Sequence, residues 1–145
     1  MRRGRMMVVV AAAGLVGCGI SNSVEGTVEA EVPEFEAEWT VAPNACYSGE
    51  RAGFFGVDLV RDGDESTQVR VVSDPVDGYS VGTNIPGTDV SAFVSAADEC
   101  ETFDVDVVRT DTRINNIWNV EGHAVVDCAL PGFTFHVDVN FANCH

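Results

Sequence analysis

The feature that most constrains the fold of this chain is a stretch of strict alternation near its C-terminus, "FTFHVDVNF" (residues 133–141). Phe133, Phe135, Val137, Val139 and Phe141 fall on one side of an extended backbone, and Thr134, His136, Asp138 and Asn140 on the other. A helix would scatter the five apolar residues around its axis, so the segment reads as a strand with one buried face. The preceding segment, "INNIWNVEGHAVVDCAL" (114–130), is long and is expected to bend near Gly122. In it Trp118, Val120, Ala124, Val126, Cys128 and Leu130 share a face. The two apolar faces coincide only if an odd-numbered residue sits opposite an even-numbered one. A loop of two residues (Pro131-Gly132) or of four (129–132) meets that condition, and a loop of three does not. The aromatic residues of this hairpin bury the most area per residue, so it should hold much of the core.

One half-apolar hairpin needs further strands, and the rest of the chain supplies them. "FEAEWTV" (35–41), "GFFGVDLV" (53–60), "TQVRVVS" (67–73), "YSVGTN" (79–84) and "TFDVDVVRT" (102–110) alternate or are rich in β-branched residues. Turn residues separate them, in "RDGDES", "DPVDG", "IPG" and at Asp111. About seven strands with regular turns predict a mainly all-β domain, an antiparallel sandwich or barrel. One segment departs from this pattern. In "TDVSAFVSAADE" (88–99), Val90, Phe93, Val94 and Ala97 recur at helical spacing with Thr88 as a candidate N-cap, which predicts one short helix.

The N-terminus is built differently. Arg2, Arg3 and Arg5 precede an apolar run from Met6 to Val16 that only Gly14 interrupts. Spanning a bilayer takes about 20 apolar residues, so this run is a secretory leader rather than an anchor helix. It ends in Leu15-Val16-Gly17-Cys18, which resembles the lipobox of bacterial lipoproteins. The resemblance implies cleavage before Cys18, a diacylglyceryl group on its sulfur, and an acylated new N-terminus. Several acyl chains anchor stably where one does so marginally. Gly19, rather than Asp, follows the cysteine, and by similarity to Gram-negative sorting this implies the outer membrane or cell surface. The chain thus divides into a leader (1–17), lipidated Cys18 with an acidic tether (18–34), and a β-rich domain (35–145). Within the tether "TVEAEV" (27–32) alternates, and is an alternative first edge strand.

Charge narrows the partners. All eight basic residues are arginine, and three of them lie in the leader. The exported part therefore carries five arginines against all 23 carboxylates, a formal charge of −18. Such a chain repels phosphate-rich polymers, which argues against nucleic acid as a partner. Overall it should also be held away from an anionic membrane surface by more than its anchor. Cationic ligands or basic proteins are the partners its charge would attract, and the acidity also serves solubility.

Setting Cys18 aside leaves Cys46, Cys100, Cys128 and Cys144, which in an exported chain read as two disulfides with three connectivities. Their long intervals lack zinc-site spacing. If strand 102–110 pairs with strand 114–130, Cys100 and Cys128 lie at the same end of a sheet. Cys144 follows a strand running to the other end, roughly 35 Å from residue 133 if extended, against about 5.5 Å between bridged Cα atoms. This favours Cys100–Cys128 with Cys46–Cys144.

The layout also resembles the mycobacterial lipoprotein-antigen family of small β-rich surface lipoproteins, through "LVGC", the acidic stretch, "NACYSG" and "FHVDVNFANCH". In that family the first and last domain cysteines pair, which implies Cys46–Cys144 here. The chain departs from it in its extra Cys100 and Cys128, and in a tether that is acidic rather than rich in Ser and Thr. The ending "VEGHAVVDC…FANCH" is similar to small secreted lipoproteins of predatory and gliding Gram-negative bacteria. Neither resemblance supplies a catalytic residue.

Candidate chemistry is sparse. His123, His136, Asp127 and Asp138 fall on the polar face of the last hairpin and are the candidate ligands for a divalent metal. A two-residue loop would set His136 opposite Asp127, and a four-residue loop His123 opposite Asp138. The alternative is an exposed cross-strand pair worth little energetically. Asp62, Asp64 and Glu65 in "DGDE" are oxygen-rich but lack the longer calcium-loop pattern, and Asp-Gly is an ordinary hairpin signal. There is no nucleophile elbow, metalloprotease helix, phosphate loop or redox C-x-x-C. The sequence therefore points to a lipid-anchored, non-enzymatic binding or interaction domain, with a metal-binding protein as the alternative and a hydrolase behind it.

Overall fold

The computed structural model describes residues 21–145, and for residues 65–67 the backbone only. The leader, Cys18 and the first residues of the expected tether lie outside the described residues. Two five-stranded antiparallel sheets face each other as a sandwich. The first has the order β2 (Ala37–Val41), β1 (Ser23–Val32), β10 (Phe133–Cys144), β9 (Ile117–Leu130), β8 (Thr102–Ile114). The second runs β3 (Ala45–Ser48), β4 (Gly56–Arg61), β5 (Asp64–Asp74), β6 (Gly78–Asn84), β7 (Ser91–Ser95).

The C-terminal hairpin closes through the two-residue loop, with Leu130 opposite Phe133 and His136 opposite Asp127. All five odd-numbered residues from Phe133 to Phe141 are buried, and Ala124, Val126 and Cys128 meet them from β9. The second sheet contributes Val57, Leu59, Val69, Val71, Val81 and Val94, each fully buried. The core lies between the two sheets, as alternation on both inner faces requires. Gly122 sits opposite Phe141, and a Cβ there would overlap the Asp106 backbone carbonyl of β8. At the sheet edge the Tyr79 hydroxyl of β6 accepts from the Val107 backbone N–H of β8 at 3.0 Å, linking the two sheets.

Both bridges form as the strand geometry favoured. Cys46–Cys144 spans 98 residues with its Cα atoms 5.0 Å apart, and Cys100–Cys128 spans 28 with 4.3 Å. The sandwich, rather than the barrel, is the architecture, and it holds more strands than the seven expected.

Three expectations need correction. Residues 23–32, assigned to the tether, form β1, which lies between β2 and β10 rather than at an edge. Val28, Ala30 and Val32 are buried while Glu25, Glu29 and Glu31 point outward, so the acidity is one face of a strand. Gly26 permits the close approach of β1 to β10. Its φ of 124° is one that L side chains rarely adopt, and a Cβ there would overlap the Asp138 carbonyl. Residues 88–99 form no helix. They give a turn followed by the edge strand β7. Thr88 bonds locally, accepting from the Val90 N–H and donating to the Ile85 carbonyl, while Asp98 accepts from the Ser95 N–H. Such short side chains draw the backbone into turns, and one helical turn cannot outweigh pairing along β6. Among the described residues the only helical pieces are 3-10 turns at Pro33–Phe35 and Gly49–Ala52. Finally, β8 continues past Asp111 to Ile114 and turns at Asn115-Asn116, both at positive φ, 50° and 66°. Two left-handed residues make the two-residue turn that suits the strand twist, and asparagine tolerates that region.

Candidate functional site

The outer faces of the two sheets differ in chemistry. On the first sheet, register places polar residues in rows across the strands. One row runs Glu29, His136, Asp127, Thr102, and another Thr27, Asp138, Val125, Asp104. A third holds Glu25, Asn140, His123 and Asp106. The His136 ring lies 3.1 Å from the Asp127 carboxylate. His123 faces Asn140 rather than Asp138, and its contact is Asp104 of β8 at 3.2 Å. The four candidate ligands are thus divided between rows: His136, Asp127 and Asp138 border one shallow depression, and His123 lies outside it. Among the described residues no group of three or more His, Cys, Asp or Glu is placed to hold a metal ion. The two-residue loop explains this, because it pairs one His–Asp couple and separates the other. What remains is an acidic, hydrated face with half-exposed His–Asp pairs, of the kind worth little energetically.

The "DGDE" segment is a hairpin turn. Arg61 pairs with Asp64 across Asp62-Gly63, Gly63 takes a φ of 83°, and the Asp62 N–H donates to the Asn44 side chain at 2.6 Å. "DPVDG" is likewise a turn, in which the Asp74 carboxylate accepts from the N–H groups of Val76 and Asp77. Those bonds lower the Asp74 pKa below the usual carboxylate range, because they stabilise its charged form.

The second sheet carries a different surface. Across its outer face one row reads Tyr47, Asp58, Arg70, Gly82, Phe93. Asp58, nearly buried, accepts two hydrogen bonds from the Arg70 guanidinium at 2.7 and 2.8 Å. This pairing raises the Arg70 pKa further and keeps the cation in one orientation. The guanidinium also lies over the Phe54 ring, 4.5 Å from its centroid. Next in the row, Gly82 has no side chain, so it opens a notch between Arg70 and Phe93. A Cβ at 82 would press on Phe93 and on the Ala92 carbonyl, each at 3.0 Å. Phe93 stands 68% exposed on the edge strand. Gln68, Ser80, Asn84 and Ser91 complete the rim of a cavity of about 390 Å³. The lining combines one fixed cation, one exposed aromatic ring and several amides and hydroxyls, without His, Cys, Asp or Glu. That is chemistry for holding a ligand rather than for moving protons.

Sequence reasoning missed this notch, since Phe93 had been placed on a helix and Gly82 in an unremarkable strand. The available signal was the pairing of two adjacent strands, "YSVGTN" and "SAFVS", which sets a glycine beside a phenylalanine on the outer face. No protein-family model, curated protein or solved structure matches this chain.

Proposed function

We propose that the chain is a lipid-anchored envelope protein whose disulfide-bridged sandwich is a non-enzymatic binding domain. The anchor reading is supported by the leader that ends in Leu15-Val16-Gly17-Cys18. A domain with two disulfide bridges also suits an oxidising, extracytoplasmic compartment. The observation that carries the binding function is the Arg70–Gly82–Phe93 notch. It favours a ligand with one apolar face to stack on Phe93 and several hydroxyl or amide groups to meet Asn84, Ser91, Gln68 and Arg70. Saccharide rings of envelope polysaccharides have that chemistry.

The test is titration of the isotope-labelled mature chain with soluble envelope saccharide fragments, followed by backbone amide shifts. Shifts should concentrate at Gly82, Asn84 and residues 91–94. Phe93→Ala should weaken binding by about 2 kcal/mol, roughly 30-fold, as loss of an aromatic anchor does. Its stability should change by no more than about 0.5 kcal/mol, because the ring is largely exposed. Shifts elsewhere, or unchanged affinity in the variant, would remove the notch from the account.

A further inference from the structure

The domain's arginines are not evenly spread. Of the five arginines in the exported part, three gather at one pole. Arg51, in the 3-10 turn Gly49–Ala52, lies over the Tyr47 ring at 5.0 Å and donates to the His145 backbone carbonyl at 3.3 Å. Arg109 lies between Phe55 and Trp118, 5.7 and 5.8 Å from their ring centroids. Arg113 lies over Trp118 at 5.3 Å. Glu50 locks this region together by accepting from the Trp118 backbone N–H at 2.8 Å.

The same pole is where the chain enters the domain. The Ser21 carbonyl accepts from the Asn143 side chain, Asn22 donates to the Cys46 carbonyl, and Ser23 pairs with Ala142. The β8–β9 hairpin projects beyond this level. Its last partner on β10 is Cys144, opposite Val120, and the hairpin runs on to its tip at Asn115-Asn116. The projecting part carries Arg113, Ile114, Ile117 and Trp118, and the three apolar residues are only partly buried. Ser23 lies five positions after Cys18, at most about 17 Å of chain. Ser23 is level with Ala142, one step past the Phe141–Gly122 pair, so Ile117 lies about four residues, or 13 Å, beyond it along the strand. The sulfur of Cys18 can therefore reach the depth of the hairpin tip.

We infer that this pole, bearing Arg51, Arg109, Arg113 and the Ile114–Trp118 tip, is a membrane-contact surface whose guanidinium groups receive lipid headgroup phosphates. The inference rests on the lipid anchor proposed above, and adds which end of the domain meets the bilayer and how. The acidic rows of the first sheet do not oppose it strongly. Salt at physiological strength screens charges beyond about 8 Å, so carboxylates farther up the strands act weakly at the headgroups. Near the pole the carboxylates are Glu50, which is engaged with the Trp118 N–H, Asp74 and Asp77 in the β5–β6 turn beside Phe55, Asp111, Glu121 and the chain terminus, so they outnumber the three arginines. Guanidinium groups suit phosphate geometry, and aromatic rings suit the interface between headgroups and water. What this end offers the bilayer is guanidinium–phosphate contacts beside an apolar tip, not a net positive field.

The two tryptophans supply the test. Trp118 is at this pole, whereas Trp39 pairs with Ala30 toward the opposite end, on the order of 30 Å away along the strands. The lipidated mature protein, purified from membranes, is reconstituted into phosphatidylglycerol–phosphatidylethanolamine vesicles that contain a headgroup-level quencher. Vesicle flotation first reports anchoring. Emission of the Trp39→Phe protein, which reads Trp118, should be strongly quenched, and that of the Trp118→Phe protein, which reads Trp39, should not. Arg51→Gln, Arg109→Gln and Arg113→Gln together should leave flotation intact but bring Trp118 quenching down to the Trp39 level. Floating protein whose two tryptophans are quenched equally, or whose Trp118 quenching survives loss of the arginines, overturns the membrane-contact pole alone. Protein that does not float overturns the anchor and the pole together.

Discussion

Replacing both Cys46 and Cys144 with alanine should destabilise the domain by about 4–5 kcal/mol, the loss of a crosslink that closes a loop of roughly 100 residues. The bridge joins β3 of one sheet to the last residue of β10 in the other, and the two cysteines are fully buried. It therefore ties the sheets together at the pole where the chain enters. The same substitution at Cys100 and Cys128 closes a shorter loop, with a separation of 28, and should cost about 1 kcal/mol less. Domains of this size are stable by about 5–15 kcal/mol, so loss of the longer bridge removes a large share of the total. Urea unfolding of the two double variants measures both values. A loss below about 1 kcal/mol for the Cys46–Cys144 variant, or a larger loss for the other, would contradict this ordering of the bridges.

Val28→Asp is the second substitution of large expected effect. Val28 is fully buried in β1, opposite Val41 on one side and Val137 on the other. A carboxylate there has no basic partner among the apolar side chains of the core, and should cost about 3–5 kcal/mol or prevent folding. Glu29→Gln, one position along on the outer face, should change stability by less than about 0.5 kcal/mol. The contrast between adjacent positions is the signature of an inner strand. Were residues 23–32 a solvated tether, both variants would melt like the parent. Thermal unfolding of the pair distinguishes the cases.

The two substitutions also mark where sequence patterning was informative and where it was not. Strict alternation in β10 identified its buried face, its partner and the parity of the loop. Cys100 and Cys128 followed from the direction of the strands they flank. The strand β1 was harder to recognise because its outward residues are all polar, three of the five being glutamate, and only Val28, Ala30 and Val32 mark the buried face. Composition over sixteen residues then resembles a tether, although alternation over six resembles a strand. The 88–99 segment failed for another reason. Val90, Phe93, Val94 and Ala97 fit a helical stripe, yet only Val94 is fully buried in the sandwich, and Phe93 points to solvent. The notch and the arginine pole could not be read locally at all. Each joins residues from separate strands or turns: Arg70, Gly82 and Phe93 in one case, Arg51, Arg109 and Arg113 in the other. Only the register of a folded sheet brings such residues together.

The account depends most on the fate of Cys18, because the anchor, the extracytoplasmic address and the orientation of the pole all follow from it. Intact mass and N-terminal peptide mass of the protein purified from bacterial membranes measure it directly. The account predicts a mature chain that begins at Cys18, with residues 1–17 removed and with diacylglyceryl and N-acyl groups on the cysteine. The Cys18→Ser chain should lack those groups and leave the membrane fraction. A mature protein cleaved elsewhere, or one that begins at Cys18 with a free thiol, would contradict it.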